Sequence, residues 1–292
     1  MNALKSAIAV CATIFGSSAH AQELIVGTLN AESASDTQPF RVASLIRDVG
    51  FVDVWAFQEV EDLEAAVEFT VAAGAVGGRR SFRYIVSESG EVGQLHRKND
   101  LLSFTYNSSR LRHVETVELH GVRSKPSNDG QGGRLGDADW HLRGVLFVRF
   151  QDRDTGLEFY VGNMHLKCCG EGVPTRAHQT EIIKQWIERS DVPVILTGDS
   201  NIPIPPGANA PSPSSAAFDN LDSVAEWREP ANPIKTQCSN FNSMLDHFFV
   251  EESQDLRVID VRIEATHNTF CDEEREGGPD HRPVIARIDL GN

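Results

Sequence analysis

Two histidines and a set of acids and amides stand where strand-like runs begin or end. Asn30 closes "ELIVGTLN", Glu59 nearly closes "FVDVWAFQEV", and His165 follows the apolar run in "YVGNMHLKCCG". Asp199 and Asn201 end "VPVILTGDSN", and Asp280 and His281 come just before "RPVIARIDL". A single polar residue at the end of an apolar run is common. Five such positions, all carrying oxygen ligands or imidazoles, form a constellation. Carboxylate and amide oxygens suit hard cations, and an imidazole gives and takes protons near neutral pH. These residue types point to a metal- and phosphate-handling site on the rim of a sheet, where α/β folds place their sites.

The elements that must position these groups are readable from periodicity. Residues 23–30 and 51–60 read as buried strands. Between them, Phe40, Ala43 and Ile46 recur at helical spacing, with Gly50 as a stop. A second helix is expected over "EDLEAAVEFTVAAG", with acids in its first turn. Closely spaced strands follow at 82–86, 101–106, 112–119, 143–150 and 157–164. Then come an amphipathic helix over "TRAHQTEIIKQWIERS" and strands at 192–201, 243–250, 256–263 and 282–290. Strands outnumber helices and the helices are interspersed. This predicts an α/β domain with two sheets packed face to face and helices outside. On a regular strand Asp199 and Asn201 face one way and Ser200 the other. Asn163 lies in line with His165 across the pleat, so it is a candidate phosphate contact.

The first 21 residues hold a lysine, a short apolar run and Ala19-His20-Ala21, the pattern of a secretory signal cut after Ala21. Residues 22–292 then fit one large domain or two small ones, expected to be secreted or periplasmic and monomeric. No run is long enough for a transmembrane span. The Pro-rich stretch 202–215 reads as a surface loop. The net charge of −15 becomes −16 if Lys5 leaves with the signal, and on its face this argues against a nucleic-acid partner. The stretch 79–153, rich in arginine, is locally positive against that background. Four cysteines would remain. Cys238 and Cys271 flank adjacent strands and are expected to pair, leaving Cys168 and Cys169 free or joined in an adjacent-residue ring. In the alternative connectivity, one of those two bridges to Cys238 or Cys271.

The ordered set "GTLN", "AFQEV", "NMHLK", "TGDSN", "LDHFFV" and "PDHRP" resembles the endonuclease/exonuclease/phosphatase superfamily over nearly the whole chain after the signal. The resemblance implies that residues 22–292 form a single catalytic domain, a four-layer α/β sandwich with two mainly antiparallel sheets. It also implies hydrolysis of a phosphodiester with Mg²⁺ (or Mn²⁺ or Ca²⁺). It makes Glu59 the principal metal ligand, helped by Asn30, with Asp280 a further candidate. It makes His165 and His281 the acid and base, supported by Asp100 and Asp246. Asp199 would orient or deprotonate the attacking water, and Asn201 and Arg143 would contact the phosphate. His247, beside Asp246, should face away from the site.

"QEVE" and the "HL" histidine are closer to the deoxyribonuclease-like branch than to the apurinic endonucleases. Leu196-Thr197 and "SMLDHFFV" depart from the 5-phosphatase pattern. An exported nuclease is therefore the leading expectation. A phospholipase C or sphingomyelinase-type phosphodiesterase, or another phosphoesterase, is the close rival. An inactive binding protein that keeps the fold is the alternative of another class.

Overall fold

The computed structural model describes residues 22–33, 37–78, 80–88, 100–119, 145–211, 215–238, 242–265 and 278–291. The signal segment 1–21, Arg143 and Cys271 lie outside these residues, and so does the Cys271 half of the expected bridge.

Among the described residues the chain forms two six-stranded sheets and four α-helices. The first sheet contains β1 (Gln22–Asn30), β2 (Val54–Val60), β3 (Phe82–Val86), β4 (Leu101–Asn107), β11 (Leu256–Ile263) and β12 (Val284–Leu290), in the order β11-β12-β1-β2-β4-β3. The second contains β5 (Leu111–Leu119), β6 (Val145–Asp152), β7 (Glu158–His165), β8 (Val194–Ile204), β9 (Glu226–Trp227) and β10 (Met244–Val250), in the order β5-β6-β7-β8-β10-β9. Each sheet is antiparallel except for one central parallel pair, β1 with β2 and β7 with β8. A helix bridges each parallel pair, as a parallel connection requires. These are α1 (Pro39–Val49) and α3 (Val173–Ile187).

Alternation along the strands divides the core. On β2, Val54 and Ala56 join the core between the sheets. Trp55 and Phe57 face outward with residues of α1 and of α2 (Leu63–Val76). On the second sheet, Trp186 of α3 stacks on Phe147 at 4.0 Å between ring centroids. The result is helices, sheet, sheet, helices, the layer order the sequence implied. The sequence reading missed α4 (Ala216–Asp222), which follows the Pro-rich stretch, and the short β9. It also placed residues 202–204 in a surface loop. They extend β8 instead, with Ile202 and Ile204 fully buried. Prolines hid a continuing strand and a helix too short to show its period.

Among the described glycines, Gly198 has the closest approach to a neighbouring backbone. Its φ is +132°, and a Cβ there would lie 2.1 Å from the Met164 carbonyl oxygen. The β7 and β8 backbones thus approach closely beside Asp199. Gly198→Ala is expected to cost upwards of about 2 kcal/mol through overpacking and backbone strain. Urea unfolding checks this, as a lowered midpoint with unchanged slope.

Candidate active site

The rim of the sandwich gathers the ends of both parallel pairs. Asn30 is the last residue of β1, Glu59 sits near the end of β2, and His165 is the last residue of β7. Asp199 on β8 lies in register with His165 on one side and with Asp246 of β10 on the other. Three neighbouring strands therefore present an imidazole and two carboxylates abreast.

Each histidine is braced by its own acid. His165 Nδ1 lies 3.0 Å from Asp100 Oδ1, and His281 Nδ1 lies 2.7 Å from Asp246 Oδ2. An ionised carboxylate only accepts, so both Nδ1 atoms carry the proton and donate it. Both Nε2 atoms consequently face inward. They lie 3.4 Å (His165) and 3.9 Å (His281) from Asp199 Oδ2. All five of these side chains are buried. Burial works against a charged His281, but the Asp246 carboxylate and its hydrogen bond, then Asp199 and Asp280, outweigh it. They hold the imidazolium up to a pKa of about 10. His281 is protonated at neutral pH in this arrangement.

Asp199 Oδ1 accepts the Asn201 backbone N–H at 2.9 Å. Its Oδ2 accepts from Asn30 Nδ2 at 3.3 Å, and Glu59 Oε1 accepts from the same amide at 3.0 Å. Glu59 Oε1 is also 3.5 Å from His165 Nε2. Glu59, Asp100 and His165 offer ligand atoms within 4.8 Å of one another. Asp100 and His165 bond each other and are buried, whereas the Glu59 side chain is 24% exposed. Glu59 is thus the member of that group open to a cation. Its oxygens and the Asn30 amide form a hard donor set that fits Mg²⁺, Mn²⁺ or Ca²⁺. Asn30 Oδ1 accepts from Glu32 N at 3.0 Å, so ligation through that oxygen needs an amide flip. Asp280 lies on the other side, beside His281 and outside the Glu59 group. Its backbone N–H donates to Glu32 Oε2 and its Oδ2 accepts from Gln237 Nε2.

The structure corrects two expectations. Asn163 does not face the rim. It is fully buried, its Nδ2 donates to the Phe57 and Ser103 carbonyls, and its Oδ1 accepts from Gln58 Nε2 at 2.6 Å. It ties the two sheets together beneath the site and has no donor left for a phosphate. Asn201 does not continue a regular strand beside Asp199. Its φ is +51°, and its Nδ2 donates to the Leu166 carbonyl at 3.0 Å. Ser200, as expected, turns away and bonds Leu245 O. His247 also faces away. Its Nδ1 accepts from Trp227 Nε1 while Nε2 donates to Ile202 O, and burial lowers its pKa, so it is a neutral packing group.

Sequence reasoning missed Gln58, the cross-sheet partner of Asn163, and Glu32, which spans Asn30 and Asp280. It also missed the buried pair on α3. Arg176 Nη1 donates to the Lys167 and Cys169 carbonyls at 2.7 and 2.9 Å, and Gln179 Oε1 accepts from Lys167 N at 3.0 Å. The visible signal was the R-x-x-Q spacing on a helix, which puts both groups on one face. The five described non-glycine residues with positive φ are Glu32, Glu59, Asp100, Cys169 and Asn201, and all lie at this rim. Residues held in such conformations cluster at functional sites.

No protein-family model matches the chain, and no curated protein matches it. Solved structures do. An endonuclease/exonuclease/phosphatase family protein from Bacteroides thetaiotaomicron is 20% identical, with a TM-score of 0.62 over 91% of this chain and 97% of that one. A mannosyl-6-phosphatase from the same organism is 19% identical, with a TM-score of 0.59 over 91% and 99%. TDP2 of D. rerio, complexed with a single-strand DNA product, is 14% identical, with a TM-score of 0.62 over 91% and 99%. The chain has the fold these proteins share.

Proposed function

We propose that the protein is a divalent-cation-dependent hydrolase of phosphodiesters. The observation that carries this is the pair of acid-braced imidazoles, His165–Asp100 and His281–Asp246, whose Nε2 atoms both face Asp199 beside Glu59. A cation held by Glu59 and Asn30 would supply positive charge to the phosphoryl oxygens. The remaining work belongs to the chain. Asp199, with Oδ1 occupied by the Asn201 N–H, turns Oδ2 toward the two Nε2 atoms, where it would accept a proton from the attacking water. His281, cationic at neutral pH, donates toward the phosphoryl or leaving oxygen. His165 Nε2, between Glu59 and Asp199, is the second imidazole nitrogen that would face the phosphate. Hydrolysis of bis-p-nitrophenyl phosphate with and without added cation tests the reading; no turnover under any cation would refute it.

Within that class, a nuclease draws support from the fold shared with a protein that binds single-strand DNA product. It also draws on basic residues of 79–153 such as Arg143. A smaller or lipid phosphoester is favoured by another observation. Arg110 is bound to Asp53 and Asp152, and Arg149 to Glu158 and Asp191. Arg110 also reaches Glu23 O, at the opposite end of β1 from Asn30. These arginines do not form a free positive track at the site. Ionic strength decides between them. A nucleic-acid substrate should bind about tenfold or more weaker between about 50 and 200 mM salt, with a shallower slope in Arg143→Ala. A flat response with turnover of a choline phospholipid would select the other reading. Among the described residues no helix is long and apolar enough to cross a membrane. We infer export from the leader-like residues 1–21, which N-terminal sequencing of the native protein would check.

A further inference from the structure

The segment that follows His165 is pinned through the backbone groups on either side of the Cys168–Cys169 peptide. Leu166 N–H donates to Asp199 O at 3.0 Å, and Leu166 O accepts from Asn201 Nδ2. Lys167 N–H donates to Gln179 Oε1, and the Lys167 and Cys169 carbonyls share Arg176 Nη1. Arg176 and Gln179 are both buried, so this is a fixed clamp. Two free thiols hang from it. Cys168 is half-buried and Cys169 exposed, with their sulfurs 2.8 Å apart. The left-handed backbone of Cys169, φ +69°, accompanies this contact. A covalent S–S bond is about 2.05 Å long, so closure needs less than about 1 Å of movement. The same backbone groups lead directly to Asp199 and Asn201.

We propose that Cys168–Cys169 is a reversible oxidation site whose state is transmitted to the catalytic rim. The oxidant is a disulfide, RS–SR. One cysteine thiolate attacks it, forming a mixed disulfide and releasing RSH after protonation. The second thiolate then attacks the bound cysteine sulfur and releases the second RSH. The two cysteines together lose two hydrogens and two electrons, and the oxidant gains them. Ring closure turns the Cys168–Cys169 peptide, which lies between the Lys167 and Cys169 carbonyls that Arg176 Nη1 holds. The displacement passes through Lys167 and Leu166 to the hydrogen bonds on Asp199 and Asn201.

The modification stands on these contacts alone; its effect on turnover rests on the phosphodiesterase reading. The test treats the full chain with oxidised glutathione. Intact mass should fall by two hydrogens, mapped to the peptide holding both cysteines, and dithiothreitol should restore it. Amide hydrogen exchange at Leu166 and Asn201 should accelerate on oxidation, and turnover of bis-p-nitrophenyl phosphate should drop several-fold. Cys168→Ser and Cys169→Ser should keep the reduced protein's turnover and lose all three responses. Stable glutathione adducts without the internal bridge would overturn the proposal. So would a bridge that leaves exchange at Leu166 and Asn201 unchanged. Failure of the reduced protein to hydrolyse any phosphodiester would instead strike the functional reading, while mass and exchange still decide the redox site.

Discussion

Replacing His281 with alanine should lower turnover by a factor on the order of 10² or more, the usual loss for a positioned acid or base. His165→Ala should cost a similar factor. The two Nε2 atoms converge on one carboxylate oxygen, Asp199 Oδ2, so they serve one step. The double variant should therefore lose less than the product of the single losses. Steady-state kinetics on a small phosphodiester decides, with circular dichroism confirming the fold. Wild-type rates in either single variant would return that histidine to a packing role. A pH signature accompanies His281. Its folded pKa is raised to about 10 from the ordinary 6.5. The stability this contributes is therefore full below the ordinary value and is lost as pH rises through the folded one. The stability difference between wild type and His281→Gln, read by urea unfolding, should shrink as pH climbs from about 6 to about 10.

The second large effect concerns the cation. Excess EDTA should abolish hydrolysis and added Mg²⁺ or Mn²⁺ should restore it. The Glu59 carboxylate is a hard oxygen donor, and hard sites of this kind bind reversibly. Glu59→Gln keeps the shape and removes the charge. Its rate should fall by about 10²-fold or more, and the cation concentration for half-maximal activity should rise. Cation titrations of both proteins measure this. Full activity in excess chelator would end the metal reading.

Much of this was legible in the sequence. Runs such as 101–106 and 256–263 carried enough β-branched and aromatic residues to give strands close to those observed. The acid-plus-histidine set marked the rim. What the sequence could not show was depth. Asn163 and His165 share a face of β7, and alternation says no more than that. The last residue of the strand meets the rim, while the residue one pleat back is sealed between the sheets and spent on Gln58, Phe57 and Ser103. Nor could alternation foresee Asn201, because one left-handed residue breaks the period on which such reasoning depends. The roles of Arg176 and Gln179 do not show in the helix period, because their partners are backbone groups of another segment.

The left-handed residues at the rim carry a cost that falls on evolution as well as on folding. A non-glycine residue in that conformation is strained by about 1–3 kcal/mol. Glycine would relieve the strain at Glu32, Glu59, Asp100, Cys169 or Asn201 while discarding the side chain. Heat-driven selection without a demand for turnover would therefore find its easiest gains at the rim itself. A lineage released from the proposed chemistry should lose this rim first and keep the sandwich beneath it, so glycines at Glu59, Asp100 and Asn201 would mark a descendant that has given that chemistry up.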